Sequence, residues 1–106
     1  MLVRTKRNKL EILVDRPLLR RVRDIALEAD IPGFTLLPTV GGGGHHGRWS
    51  EEMVTGGAGS KVRFMTLIDD ATVERLLEKL EPLISEYSLI VTIVQVEKIT
   101  DDSNDV

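Results

Sequence analysis

Cysteine is missing from the 106 residues, so disulfides, thiolate zinc sites and cysteine nucleophiles are excluded. Long apolar runs are missing too. None approaches the roughly 20 residues that span a bilayer, and Met1-Leu2-Val3-Arg4 does not open a secretory signal. A soluble, cytoplasmic protein is the expectation. Positive charge is not in excess, the formal net charge being -3, and nothing suggests the Lys and Arg face of a nucleic-acid binder. Catalytic groups are sparse as well: there is no Ser-His-Asp order and no carboxylate pair at a defined spacing. Only His45 and His46 would titrate near neutral pH. The chain reads as a non-enzyme with no catalytic residue and no cofactor.

What is present is a globular composition, 42% hydrophobic and 29% charged, sufficient for one domain with one modest core. Residues 9–100 are expected to form it. Arg4, Lys6, Arg7 and Lys9 make the beginning basic, while Asp101, Asp102 and Asp105 make the end acidic. Segments 1–8 and 101–106 are therefore expected to be solvated tails.

Hydrophobic periodicity orders the domain. Leu10, Ile12 and Val14 alternate through Lys9–Val14 as a strand, and Asp15 with Pro17 opens a helix. Leu18, Val22, Ile25, Ala26 and Ala29 recur at helical spacing until Pro32-Gly33, which is expected to stop that helix. A strand over Phe34–Val40 follows, its Pro38 pointing to an edge or a bulge. Lys61–Ile68 reads as a third strand. Asp69-Asp70 caps a second helix carrying Val73, Leu76, Leu77, Leu80 and Ile84 on one face, which Pro82 should kink or end early. Leu89–Ile99 is the fourth strand.

The resulting order, strand-helix-strand-strand-helix-strand, is the ferredoxin-like βαββαβ arrangement of an α+β domain with a four-stranded antiparallel sheet. Two helices cover one face of such a sheet. Yet Met65, Leu67, Ile90, Val94 and Val96 oppose Val62, Phe64, Ile68, Leu89, Val91 and Ile93, so both faces are apolar. An obligate oligomer that buries the second face is expected.

The informative segment lies between the second and third strands. All nine glycines except Gly33 fall within 41–59, in a stretch of about twenty residues with no apolar periodicity, which is uncommon in a compact domain unless it has a task. Gly41-Gly42-Gly43-Gly44 would let successive N–H groups converge on an anion, or would simply form a flexible linker. His45, His46 and Arg48 favour the anion, because a guanidinium matches the planar oxygens of phosphate or bicarbonate. Lys61 and Arg63 at the returning stem would add positive charge, unless Arg63 is a plain exposed strand residue. A metal-binding regulator using His45 and His46 with Glu51 and Glu52 is the alternative. A purely structural oligomer whose loop docks a protein is another. Trp49 would stack on a base, insert into a partner, or pack on its own subunit.

The element order, GFTLLPTVGGGGHHG before the loop and SKVRFMTLI after it, resembles the PII signal proteins over roughly Lys9 to Ile99. That resemblance implies a homotrimer binding adenine nucleotide between subunits at the base of a T-loop, here about 41–60. It places the adenine contact on Thr35, the T-loop base glycines on Gly41 and Gly43, phosphate handling on His45 and His46, and a basic stem residue on Lys61. The B-loop glycines and lysine of PII proteins are replaced by Ser85-Glu86-Tyr87-Ser88, the loop has no tyrosine for uridylylation, and the tail is acidic rather than arginine-bearing. The chain is therefore most similar to the reduced PII-like proteins linked to inorganic-carbon uptake and carboxysomes. What this implies is ADP or AMP as ligand, bicarbonate or another small anion held by Arg48 and His46, and a target such as a carbon transporter or carboxysome component, with carboxysome association.

Overall fold

The computed structural model describes residues 1–44, 47–50 and 60–102, with backbone alone for 44 and 47–50. Its first element, β1, spans Leu2–Asp15 and is seven residues longer at its start than the apolar alternation predicts. Residues 2–8 are not a tail. They pair with Gln95–Asp101, so the register with the last strand, not local hydrophobicity, makes them extended. The α-amino group of Met1 sits 3.3 Å from a carboxylate oxygen of Asp102, and Arg4 is ion-paired with Glu97. The basic beginning and the acidic end meet each other.

Helix α1 spans Arg16–Glu28. Asp15 holds the N-cap position in extended backbone, but its carboxylate makes no capping bond and instead accepts from Lys61 Nζ at 2.7 Å. The helix stops before Pro32-Gly33. Asp30 takes φ 60°, the Asp30 N–H reaches the Leu27 carbonyl at 3.0 Å, and the Ile31 N–H reaches the Ala26 carbonyl at 3.5 Å. This is the paired C-terminal closure in which a left-handed residue satisfies the last carbonyls, with Asp where glycine is usual.

Next come the short β2 (Thr35–Pro38), then β3 (Gly41–Gly44), β4 (Gly47–Ser50) and β5 (Lys61–Ile68). Helix α2 (Asp70–Tyr87) begins under Asp69, which accepts from the Thr72 N–H at 2.9 Å and the Thr72 hydroxyl at 2.6 Å. It runs through Pro82 rather than ending there. Pro82 is exposed, while Leu80 and Leu83 beside it are buried. Their packing outweighs the roughly 3 kcal/mol that an interior proline costs. Ser88, at φ 54°, turns the chain out of the helix into β6 (Ile90–Asp101).

The main sheet has the antiparallel order β2-β5-β1-β6, the ferredoxin-like topology, with Pro38 on its edge strand as expected. Both helices lie on one face. Leu10, Ile12, Val14, Phe64, Ile68, Val22, Ala26, Leu76, Leu80 and Leu83 form the core between the layers, and the Phe34 and Phe64 rings stack at 4.9 Å.

The other face carries the alternate residues. Register puts Thr35, Met65, Glu11 and Thr92 in one row and Leu37, Arg63, Leu13 and Ile90 in the next. Leu67, Lys9 and Val94 form a third. No element of the described chain covers these rows, and Ile90 and Val94 are 60% and 55% exposed.

Candidate ligand site at the loop base

The loop leaves and re-enters the sheet between β2 and β5, and its two stems are tied together. The Thr39 hydroxyl donates to the Lys61 carbonyl at 2.7 Å. Ser60, 3% exposed, takes the Arg16 N–H on its carbonyl at 3.2 Å and Arg16 Nε on its hydroxyl at 2.8 Å. The start of α1, the end of β2 and the start of β5 thus share one junction.

The glycine run departs from expectation. Gly41–Gly44 pairs antiparallel with Gly47–Ser50, with Gly41 opposite Ser50, Gly42 opposite Trp49 and Gly43 opposite Arg48. In an extended ladder successive N–H groups point to opposite edges, so the four amides do not converge as a nest; alternate ones face outward from the ribbon. Gly41 has φ 155°, a backbone region that side chains other than hydrogen rarely allow. Of the remaining loop predictions, His45, His46, Glu51 and Glu52 lie outside the described residues, and Arg48 and Trp49 are described by backbone alone.

Thr35, Lys61 and Arg63 lie on the same, helix-free face of the sheet. Thr35 stands at the exposed start of β2, opposite Met65, and borders a shallow groove with Gly33, Phe34, Leu67 and Lys98. It is separated from the loop stem by the length of β2, roughly 10 Å. Neither stem cation is free. Lys61 holds Asp15 at 2.7 Å, and Arg63 reaches Glu11 through two nitrogens, at 2.7 and 3.3 Å. The hydrogen bond and charge of Arg63 hold the Glu11 carboxyl below the usual carboxylate range, and Glu11 in turn raises the Arg63 guanidinium.

Sequence reasoning therefore missed Asp15, Arg16, Thr39, Ser60 and Glu11. The signal for two of them is register: once β1 and β5 are paired through Leu13 and Arg63, Asp15 falls opposite Lys61 and Glu11 lies one row from Arg63. The hydroxyls of Thr39 and Ser60 carry no such mark.

A cavity of about 510 Å³ lies at the opposite end of the sheet between Lys6–Asn8, Asp69–Asp70 and Gln95–Glu97. Two of its polar side chains engage each other: Asn8 Nδ2 donates to Asp70 at 2.7 Å and to the Ile68 carbonyl at 3.3 Å.

The family model described as nitrogen regulatory protein P-II matches residues 7–103. Among curated proteins none matches the sequence. Among solved structures the fold is similar to CPII, a nitrogen regulatory PII-like protein from Thiomonas intermedia K12, bound to ADP, AMP and bicarbonate. That likeness has a TM-score of 0.82 at 20% identity over 91% of each chain. The apo form of CPII matches with TM-score 0.76 at 16% identity, over 95% of this chain and 100% of that one. A PII-like signalling protein from Thermus thermophilus matches with TM-score 0.75 at 17% identity, over 90% of this chain and 91% of that one.

Proposed function

The chain belongs to the nitrogen regulatory protein P-II family, and from that premise we propose a trimeric regulator that binds ADP or AMP, together with bicarbonate, at the loop base between subunits. One observation carries the reading: Thr35, Lys61 and Arg63 share the face of the sheet that the chain's own helices leave open. A ligand there would be enclosed only when a second subunit covers that face. CPII, of the same fold, binds ADP, AMP and bicarbonate, which supports this ligand class.

Charge decides how the ligand is held. With Lys61 on Asp15 and Arg63 on Glu11, the stem offers little net positive potential. The phosphates and the small anion then depend on the loop itself, on outward amides of Gly41–Gly44, on His45 and His46, and on Arg48. A ligand that supplies contacts to the loop favours one of its conformations, and that conformation is what a protein target recognises. The output is regulatory, with no bond made or broken, and the signal is cellular energy and inorganic-carbon status. A carbon transporter or carboxysome component is the proposed target. The metal-binding alternative at His45 and His46 finds no support among the ligands of the similar structures.

The test is thermal denaturation and calorimetry with ADP, AMP and bicarbonate, singly and together. A ligand of the native state raises the melting temperature by mass action, and Arg48→Ala should weaken anion binding while the assembly keeps its mass. Absence of both heat and thermal shift at about millimolar ligand, where even a weak site with a free energy near -4 kcal/mol would register, would end this reading.

A further inference from the structure

Two stripes on the outer surface of the helices share one spacing and carry opposite charge. On α1, Arg16, Arg20 and Arg23 flank half-buried Leu19 and line a groove with Leu36 of the edge strand. On α2, Glu74, Glu78 and Glu81 flank half-buried Leu77 and line a second groove with Ile84. In each helix the charged residues stand at one position, four further and seven further, with a leucine three after the first. Within each stripe the like charges stand three and four residues apart, a spacing that disfavours a helix, while Asp24 four after Arg20 and Arg75 three before Glu78 supply opposite charge beside the stripes.

The charged groups are largely unspent. Among the described residues, Arg20, Glu74, Glu78 and Glu81 make no hydrogen bond or ion pair. Arg23 has only the exposed Asp24, at 3.5 Å. Arg16 gives Nε to Ser60, which holds the start of the row in place. Leu27, 51% exposed, continues the α1 stripe one turn beyond Arg23.

We propose that the arginine-leucine groove of α1 docks the glutamate-leucine stripe of α2 on a second copy of this chain, joining one trimer to another. This rests on the trimer reading, in which the helix-free face is buried inside and both helices remain outside. Complementary charge sets the register, the facing leucines exclude water, and the like-charge strain within each helix is relieved. Donor and acceptor faces differ, so the contact leads to assemblies larger than the trimer.

The experiment is light scattering and sedimentation of the full chain over a wide concentration range, at about 0.02 M and about 0.5 M salt, where the screening length falls several-fold. At low salt the mass should rise above the trimer with concentration, and at high salt return to it. Arg20→Glu and Glu78→Arg each should weaken this association at least about tenfold. Mixing the two variants, or combining both changes in one chain, should restore it. Both positions are exposed, so helicity by circular dichroism should be unchanged. A mass fixed at the trimer in all conditions, association that survives either reversal, or reversals that do not rescue each other would overturn the proposal. A monomeric mass throughout would instead overturn the trimer on which it rests.

Discussion

The two faces of the sheet are made from the same strands, yet alternate residues along β1 meet different surroundings. Leu10, Ile12 and Val14 are fully buried under the helices, whereas Lys9, Glu11 and Leu13 look out on no other part of the described chain. β5 repeats the contrast, with Phe64 and Ile68 on one side and Arg63, Met65 and Leu67 on the other. The core on the helix side is completed within one chain and is apolar. The open side interleaves aliphatic residues with carboxylate-cation pairs, as a surface does that must be tolerable when bare and specific when covered. Fold stability is thus assigned to the helix side, and the ligand chemistry proposed above to the open one.

The largest effect should come from breaking the completed side. Phe64 is fully buried and stacked on Phe34, and Phe64→Ala should cost about 3–5 kcal/mol, a large share of the roughly 5–15 kcal/mol that such domains possess. Urea denaturation measures it. A loss near that of a surface substitution would mean the helices are not what closes the core.

The open side should respond differently. Val94 is 55% exposed in one chain, and its cross-strand neighbour is Lys9. In an isolated subunit Val94→Asp should be harmless, because the new carboxylate would face that cation. In an assembly that covers this face the same carboxylate must be stripped of water, and association should weaken about 100-fold, or roughly 3 kcal/mol. Sedimentation equilibrium separates the cases. If the variant assembles like the parent, the rows through Leu13 and Val94 are not the interface and the contrast between faces has another origin.

Much of this contrast was legible in the residues. Period-two alternation in KLEILV and KVRFMTLI and the helical spacing of Leu76, Leu80 and Leu83 mark the core directly, because burial selects side chains by position. Four features were not legible, each for a physical reason. Residues 2–8 become strand through pairing with β6, a long-range effect that overrides their polar composition. Glycines have no side chain to pattern, so the β3-β4 ribbon leaves no period. Asp30 closes α1 in a left-handed backbone that glycine more often supplies. Pro82 is carried by tertiary packing on either side of it. Among the candidate ligand residues, Thr35, Lys61 and Arg63 were marked by the sequence, but the partners that neutralise two of them depend on strand register.

The smallest expected effect concerns that neutralisation. Glu11 has its carboxyl held below the ordinary range, first by the hydrogen bond from Arg63 and then by the charges of Arg63 and Lys9, against the burial that opposes it. Asp69 is lowered likewise by the Thr72 hydroxyl and N–H. For both groups the folded carboxyl releases its proton at lower pH than the unfolded one. Their stabilisation is therefore complete above the unfolded carboxylate range, about pH 4, and disappears as pH falls through the depressed folded values. Glu11→Gln removes one of the two titrations. The variant should melt below the parent at neutral pH, lose less on acidification, and approach the parent at the acid end, while the Asp69 contribution persists in both. Parallel melting curves from neutral to acid pH would show that Arg63 does not depend on Glu11. The guanidinium would then be available to a ligand, and the open face would be more cationic than its ion pairs imply.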